Sequence, residues 1–359
     1  MLDFKSLLPD TKRTVGLDIG SSSIKLVEII DASQGYLLNT YAQIPLEKGV
    51  IEEGGIVNAG MLQDAIRRLV KVSRCKTRKA VVSLSGHKVI ARRASFQAME
   101  EDDLRQLIND EGANYLPFDD ITSINFDFQI LGEAESGPGQ IEVILVAAKK
   151  DVVQSYVDVI EKAGLKPVIV DVDSFALETM YEANYDFEDQ DVVVLINLGA
   201  SMTNINVVKG GKSIFTRDIP MGGRFITESI QEKLGVSFEE AERMKIEAAT
   251  ANAGDSGAMR VNPLDVAEAL LMEIERSIDY FRSTHGGEYV KDVILSGGSS
   301  KIAGISDALT QRLGIETRRV NPFQNIAYNT KAFNAAIIED IGPDAALGIG
   351  LALRRVGDR

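Results

Sequence analysis

The sequence predicts an α/β protein of two lobes, built by duplication, with a smaller α+β unit inserted into the first lobe. Three observations carry this expectation. The segment "TVGLDIGSSSIKLVEI" (14–29) reads as strand, bare polar turn and returning strand. The segment "DVVVLINLGASMTNINVVKGGKSIFTRDIP" (191–220) repeats that pattern in the second half and adds a further strand. Between them, residues 80–163 alternate strands and helices as a compact unit of their own. A chain of 359 residues is also too long for one ordinary core, so two lobes are expected.

Taken in order, the first hairpin bends at Gly20 and Ser21 to Ser23. "NAGMLQDAIRRLVKVS" (58–73) places Met61, Leu62, Ala65, Ile66, Leu69 and Val70 at helical spacing. "KAVVSLSG" follows as a strand. "MEEDDLRQLINDEGANYLP" then reads as a helix opened by acidic residues, which suit the positive end of its dipole, and stopped near Pro117. "SINFDFQIL" and "IEVILVAAKK" are strands joined by the turn "ESGPGQ", and "DVVQSYVDVIEKAGL" is a helix with Gly164 near its end. "KPVIVDVDSFALETMYEAN" is a strand running into a helix.

After the second hairpin come helices over "GGRFITESIQEKLG" and "SFEEAERMKIEAAT", then the polar stretch "ANAGDSGAMRVNP", expected to be mobile. "LDVAEALLMEIERSIDYFRST" is a long amphipathic helix, and "VKDVILSGGSSKIAGISDALTQRLG" gives strand, glycine turn, helix. "DAALGIGLALRRV" is a small-residue helix suited to close approach by another backbone.

Composition narrows the function. Hydrophobic content of 45% and charged content of 26% are those of a globular protein. A net charge of −14 argues against a nucleic-acid surface and against general attraction to anionic lipid. Cys75 is the only cysteine, so no intrachain disulfide forms and a reducing compartment fits. "MLDFKSLLPD" lacks the pattern of a signal peptide, and apolar runs such as "VVVLI" are far too short to span a bilayer. His87 and His285 have no second ligand at metal spacing, and no Ser-His-Asp set is evident.

The three glycine-bearing turns suggest phosphate chemistry. Backbone N–H groups in a bare turn can approach phosphate oxygens closely. Mg²⁺ accompanying a triphosphate often keeps its waters and meets an acidic group indirectly. The first turn offers Asp18, Gly20, Ser21, Ser22, Ser23 and Lys25; the second offers Asn197, Gly199, Ala200, Ser201 and Thr203. "SGGSS" (296–300) is a third, suited to a flat base or ribose. Any one of them is commonly a plain turn, but each directly follows an apolar strand, and they come in order.

The set "DIGSSSIK", "NLGASMTN", "AERMK" and "LSGGSSKIAG" resembles the actin/Hsp70/sugar-kinase ATPase superfamily. With the insertion at 80–163 it is most similar to the FtsA-like branch. "VVSLSGHKVIARRASFQAM", "YLPFDD", "ILVAAKKDVVQSYVDVIEKAGLKPVIVDVDSFAL" and "RDIPMGG" resemble the PilM family of type IV pilus assembly proteins over nearly the whole chain. The implied fold is a duplicated actin-like (ribonuclease H-like) two-lobed α/β fold with an FtsA-type inserted subdomain. Its implied parts are subdomain 1A (1–79, 164–190 and 345–359), 1C (80–163), 2A (191–220 and 286–344) and 2B (221–285).

The resemblance implies ATP with Mg²⁺ bound between the lobes. Asp18, with Asn197, would hold the metal through water. Gly20, Ser21, Ser22, Ser23 and Lys25 would take one side of the phosphates, and Gly199, Ala200, Ser201 and Thr203 the other. Gly222 and Gly223 would back the nucleotide, Glu242 and Lys245 would reach ribose and base, and Gly297, Gly298 and Ser299 would support adenosine. Asp171 and Asp173 would stand near the attacking water, although both can equally end a strand. Active relatives usually carry Asp where this chain has Asn197. An amide supplies no charge and no base, so tight binding and slow hydrolysis are expected.

The implied function is a cytoplasmic, nucleotide-dependent scaffold of type IV pilus assembly at the inner membrane, serving pilus biogenesis and twitching motility. It would bind the cytoplasmic N-terminal tail of PilN and, through it, the PilO/PilP membrane complex. Pilus motor components and self-association are further contacts the resemblance allows. The chain closes on "LALRRVGDR" without an amphipathic extension, so tethering through a partner is expected. An FtsA-like filament-forming cell-division protein and a small-molecule kinase of the same superfamily are the alternatives.

Overall fold

The computed structural model describes residues 13–355 and 357, except residues 34, 119, 135, 136, 138 and 251–261. "MLDFKSLLPD", most of "ANAGDSGAMRVNP", half of "ESGPGQ" and the last residues of the chain therefore lie outside the described residues, as does the side chain of His87.

Two sheets are wound alike. In the first, Val15–Ile19, Ser23–Ala32 and Gly35–Pro45 are consecutive antiparallel strands, and Lys79–Leu84 and then Lys166–Val172 add in parallel on the other side of Val15–Ile19. In the second, Val192–Leu198, Thr203–Lys209 and Lys212–Ile219 are the meander, and Val290–Ser296 and Thr317–Arg319 are the parallel additions. Read from the meander inward, both orders are third, second, first, fourth, fifth. The parallel strands are continuous apolar runs because both faces are covered: Val192, Val193, Val194, Leu195 and Ile196 are all buried.

The first sheet has an extra edge strand, Ile326–Tyr328, parallel to Gly35–Pro45. It comes from late in the chain, from a stretch expected with the second lobe. Its burial of Ile326 against the first sheet's core explains the placement.

Helices Asp173–Asn184 and Ala335–Leu353 pack together between the sheets and share one core with both. The small residues of "DAALGIGLALRRV" serve that contact. A Cβ on Gly350 would overlap the carbonyl of Ala176, and one on Gly16 would overlap the backbone around Gly348.

Within 80–163, a three-stranded antiparallel sheet, Val89–Gln97, Gln140–Lys149 and Ile124–Glu133, carries helix Glu101–Glu111 on one face. Leu104, Ile108, Val143 and Leu145 form that small core. The helix ends at Glu111, ahead of the expected stop near Pro117, because Gly112 starts a tighter turn. The two ends of this stretch belong elsewhere. Lys79–Leu84 is a strand of the first sheet, and helix Lys150–Lys162 buries Tyr156, Val159 and Ile160 in the first sheet's core.

Candidate functional site

The two hairpins face each other across the cleft between the lobes, and they close in the same way. The Gly20 N–H donates to the Ser23 carbonyl at 3.1 Å, and the Gly199 N–H donates to the Met202 carbonyl at 2.9 Å. A Cβ on either glycine would press on that carbonyl, at 3.0 Å and 2.8 Å respectively, so a bare residue is needed for so tight a turn. The register then pairs Asp18 with Lys25 and Asn197 with Asn204. Lys25 Nζ lies 2.8 Å from Asp18 Oδ2. Burial alone would lower the Lys25 pKa, but the Asp18 carboxylate beside it raises it above the ordinary lysine value. Asn197 Nδ2 donates to Asn204 Oδ1 at 3.2 Å.

The third turn completes the second lobe's side. Gly297 has φ +84°, and a Cβ there would lie 2.5 Å from Asn197 Oδ1. Ser299 Oγ donates to the Gly199 carbonyl at 3.0 Å. Gly222 and Gly223 stand behind the second turn and do not line the cleft. The Gly223 N–H donates to the Gly199 carbonyl at 2.9 Å, and the Arg224 N–H to the Ala200 carbonyl at 2.7 Å. Thr203 is fully buried, and its hydroxyl donates to the Met221 carbonyl at 2.8 Å, so it braces the turn from beneath.

Glu242 and Lys245 share a face of helix Phe238–Thr250 that looks into the cleft. Lys245 is 8% exposed, and its ammonium donates to Glu242 Oε2 at 2.7 Å, to Thr227 Oγ1 at 2.8 Å and to the Gly223 carbonyl at 3.0 Å. Its burial pushes its pKa down.

At the cleft floor, Asp173 accepts from Ser83 Oγ at 2.5 Å. Burial pushes its carboxyl up to about 7; Ser83 holds it down, and the nearby charges of Asp18 and Asp218 raise it further. Asp171, expected beside it, does not line the cleft. Two residues earlier on the chain, it is tied to Arg354 Nε at 2.7 Å near the end of the last long helix. Its charge is spent on a structural ion pair, which corrects its expected place near an attacking water.

The cleft encloses a cavity of about 630 Å³. It brings together Asp18, Gly20, Ser21, Ser22, Ser23, Lys25, Asp173, Asn197, Gly199, Ala200, Ser201, Glu242, Lys245, Gly297, Gly298 and Ser299. Sequence reasoning missed Ser83, Ser85, Tyr156, Lys301, Arg319, Asp340 and Asp344 on the same walls. Ser83 and Ser85 had a findable signal, since they end a strand parallel to Val15–Ile19, where α/β sheets place ligands. Lys301, which directly follows "SGGSS", is paired with Asp344 at 2.7 Å and Asp340 at 3.1 Å. Those two partners come from a distant helix and had no local signal.

A nucleotide triphosphate fits these residues. The Ser201 hydroxyl is buried in the second turn with no hydrogen-bond partner, and a Cβ on Gly199 or Gly297 would foul the turns that line the cavity. Among the described residues no group of three acidic, His or Cys side chains could hold a metal directly. One carboxylate, Asp18, opposite one amide, Asn197, suits a hydrated Mg²⁺ and not a dehydrated ion. His285 takes no part. It stacks on Phe281 with ring centroids 4.7 Å apart.

With this geometry in view, the family comparison is decisive: the profile of the family described as type IV pilus assembly protein PilM matches residues 16–356. The chain belongs to that family. A solved structure of a PilM–PilN type IV pilus biogenesis complex is 27% identical, covers 95% of this chain and 98% of that chain, and superposes with a TM-score of 0.81. The cell division protein FtsA of Bacillus subtilis is 27% identical over 255 residues, 64% of this chain and 57% of the relative, so the match spans little more than half of that protein. MreB5 of Spiroplasma citri bound to ADP is 11% identical, covers 93% of this chain and 99% of that chain, and has a TM-score of 0.51, a likeness in fold alone. The fold is thus the actin-like one expected, and the chain is an actin-like type IV pilus assembly protein of the PilM family. Among the described residues no helix is long and apolar enough to cross a membrane.

Proposed function

We propose that this chain is an ATP-binding scaffold whose nucleotide state sets its grip on the short cytoplasmic N-terminal tail of a PilN-type membrane protein. One observation carries the nucleotide half: two turns of matching build face each other across one cavity, and the Ser201 hydroxyl of the second is unpartnered. The partner half is supported by the similarity to the PilM–PilN complex.

Bound ATP–Mg²⁺ supplies a phosphoanhydride and a divalent charge at the turns. Asp18 would hold the hydrated metal, and Lys25, now paired with Asp18 at 2.8 Å, would offer its ammonium to phosphate oxygen. The N–H groups of the two turns and Ser201 Oγ donate from either side. Glu242 faces the ribose and Lys245 holds it in place. Asp173, whose carboxyl is hydrogen-bonded by Ser83 and Ser85, would take the proton of the attacking water. Asn197 adds no charge, so hydrolysis is slow and the bound state is long-lived, as suits a scaffold more than a metabolic kinase. The chain then sits at the cytoplasmic face of the inner membrane, held by PilN and, through it, PilO and PilP.

Calorimetric titration of a PilN tail peptide into the full chain, with and without ATP–Mg²⁺, tests both halves. Tighter peptide binding with nucleotide is expected. Binding of neither ligand, or stimulation of ADP release by sugars or short acids, would overturn the proposal.

A further inference from the structure

A second cavity of about 320 Å³ lies behind the first and shares Asp173 and Met202 with it. One wall is the beginning of the inserted unit, Gly86 and Val89 to Ala91. The opposite wall is the outer strand of the second lobe's sheet, Thr216 to Asp218. Two sheet edges thus confront each other where the inserted unit meets the second lobe.

A line of hydrogen bonds runs from the nucleotide-side cavity to that junction. Asn197 Nδ2 donates to Asn204 Oδ1 at 3.2 Å, and Asn204 Nδ2 donates to Asp218 Oδ1 at 2.8 Å. The other oxygen of Asp218 accepts the backbone N–H of Gly86, a residue 132 positions away. Asn197 begins the line against the third turn, at the Gly297 backbone.

Resting on the nucleotide reading above, we propose that Asn197, Asn204 and Asp218 form a coupling line that carries the state of the second turn to the inserted unit through the Gly86 backbone. Three features support it. First, Asp218 serves both ends at once, one carboxylate oxygen to each. An amide in its place would turn a donor toward one of two donors. Second, a parallel contact runs beside the line. Gly86 has φ +72°, and a Cβ there would lie 3.2 Å from Met202 Cε, so the second turn already rests on this backbone. Third, the edges are joined again farther along, where Arg93 Nη1 donates to the Ile214 carbonyl at 3.5 Å. A shift of the second turn on closing therefore pulls on Asn204 and Asp218, and Val89–Gln97 moves against Lys212–Ile219. The cavity between those edges changes width with nucleotide state.

Amide hydrogen exchange on the full chain, with and without saturating ATP–Mg²⁺, tests the line. In the wild type, exchange over Val89–Gln97 slows about tenfold with nucleotide. Asp218→Asn leaves nucleotide affinity within about threefold, since Asp218 does not line the nucleotide cavity, and cuts the slowing below about twofold. Should Asp218→Asn fail to fold, Asn204→Ser cuts the line at its middle and must lose the same slowing at saturating nucleotide. Equal slowing in wild type and the folded variant overturns the coupling line, as does nucleotide binding with no change over Val89–Gln97; either leaves the nucleotide reading standing. Absence of ATP binding to the wild type by calorimetry overturns both.

Discussion

Asp18 and Asn197 hold the same place in two copies of one hairpin: Asp18 is in register with Lys25 across the first, and Asn197 with Asn204 across the second. The first pair is an ion pair at 2.8 Å, the second an amide hydrogen bond at 3.2 Å. The two hairpins share one backbone build, and only the first carries a charge at this place. Asn197→Asp places a carboxylate opposite Asp18, where it adds charge toward a hydrated metal. Turnover of ATP should rise by about tenfold, roughly 1.4 kcal/mol off the barrier. Unchanged turnover in a phosphate-release assay would show that the missing charge is not what limits hydrolysis.

Lys25 is mostly buried, and Asp18 beside it keeps it charged. Lys25→Met removes the ammonium at nearly constant length and leaves the Asp18 carboxylate unpaired. A charge-assisted hydrogen bond contributes about 1.5–3 kcal/mol, so ATP–Mg²⁺ affinity should weaken by about tenfold to a hundredfold. A fluorescent-nucleotide titration reads it directly. Affinity within twofold of wild type would mean that Lys25 never leaves Asp18.

Asp173 is pushed up to about 7, because burial and the charges of Asp18 and Asp218 outweigh the hydrogen bonds from Ser83 and Ser85. A base must be unprotonated to accept. The single-turnover rate of hydrolysis should therefore rise as pH passes through about 7 and level off above it. Asp173→Asn should lower the rate by about a hundredfold and flatten that limb. A limb that persists in the variant assigns the titration to another group.

Much of this site was legible in the sequence because each turn is local. Gly20, Gly199 and Gly297 each follow an apolar run by one or two residues, so strand and phosphate-type turn declare themselves together. The duplication was legible for the same reason. What stayed hidden depends on contacts between distant parts. Asp171 and Asp173 look alike in "VDVDS", yet one pairs with Arg354 and the other reaches the cleft, and nothing local separates them. Ile326–Tyr328 is too short to read as a strand, and only its parallel pairing with Gly35–Pro45 reveals it. The inserted unit's edges blur similarly, since Lys79–Leu84 is apolar enough for either sheet and pairs with Val15–Ile19.

Glu178 is buried between helix Asp173–Asn184 and strand Lys212–Ile219, where its Oε2 accepts the Ser213 N–H at 3.0 Å and the Ser213 hydroxyl. Burial pushes its pKa from 4.5 to about 7. The folded chain thus binds a proton at this site that the unfolded chain has released between those values. The stability contributed is full below about 4.5 and is lost as pH rises to about 7. Glu178→Gln should remove that part of the pH dependence, a difference of about 1–3 kcal/mol between pH 5 and pH 8. Urea unfolding of both chains at the two pH values measures it. Parallel curves would place the titration elsewhere.

Gly350 sits where helix Ala335–Leu353 crosses helix Asp173–Asn184, with no room for a Cβ beside the Ala176 carbonyl. An alanine inside a helix normally gains about 0.5–1 kcal/mol over glycine. Here the added methyl must push the two backbones apart, and overpacking of this kind costs about 1–3 kcal/mol or more. Gly350→Ala should therefore destabilise the fold, whereas Gly342→Ala in the same helix, where a Cβ would lie 3.3 Å from Pro322 Cδ and not 1.7 Å from a carbonyl oxygen, should cost less. The displaced helix is the one that begins with Asp173, so Gly350→Ala should also reduce nucleotide affinity without touching any residue of the cleft. If both variants melt together, the helices are not packed backbone to backbone, and the position of Asp173 does not depend on their crossing.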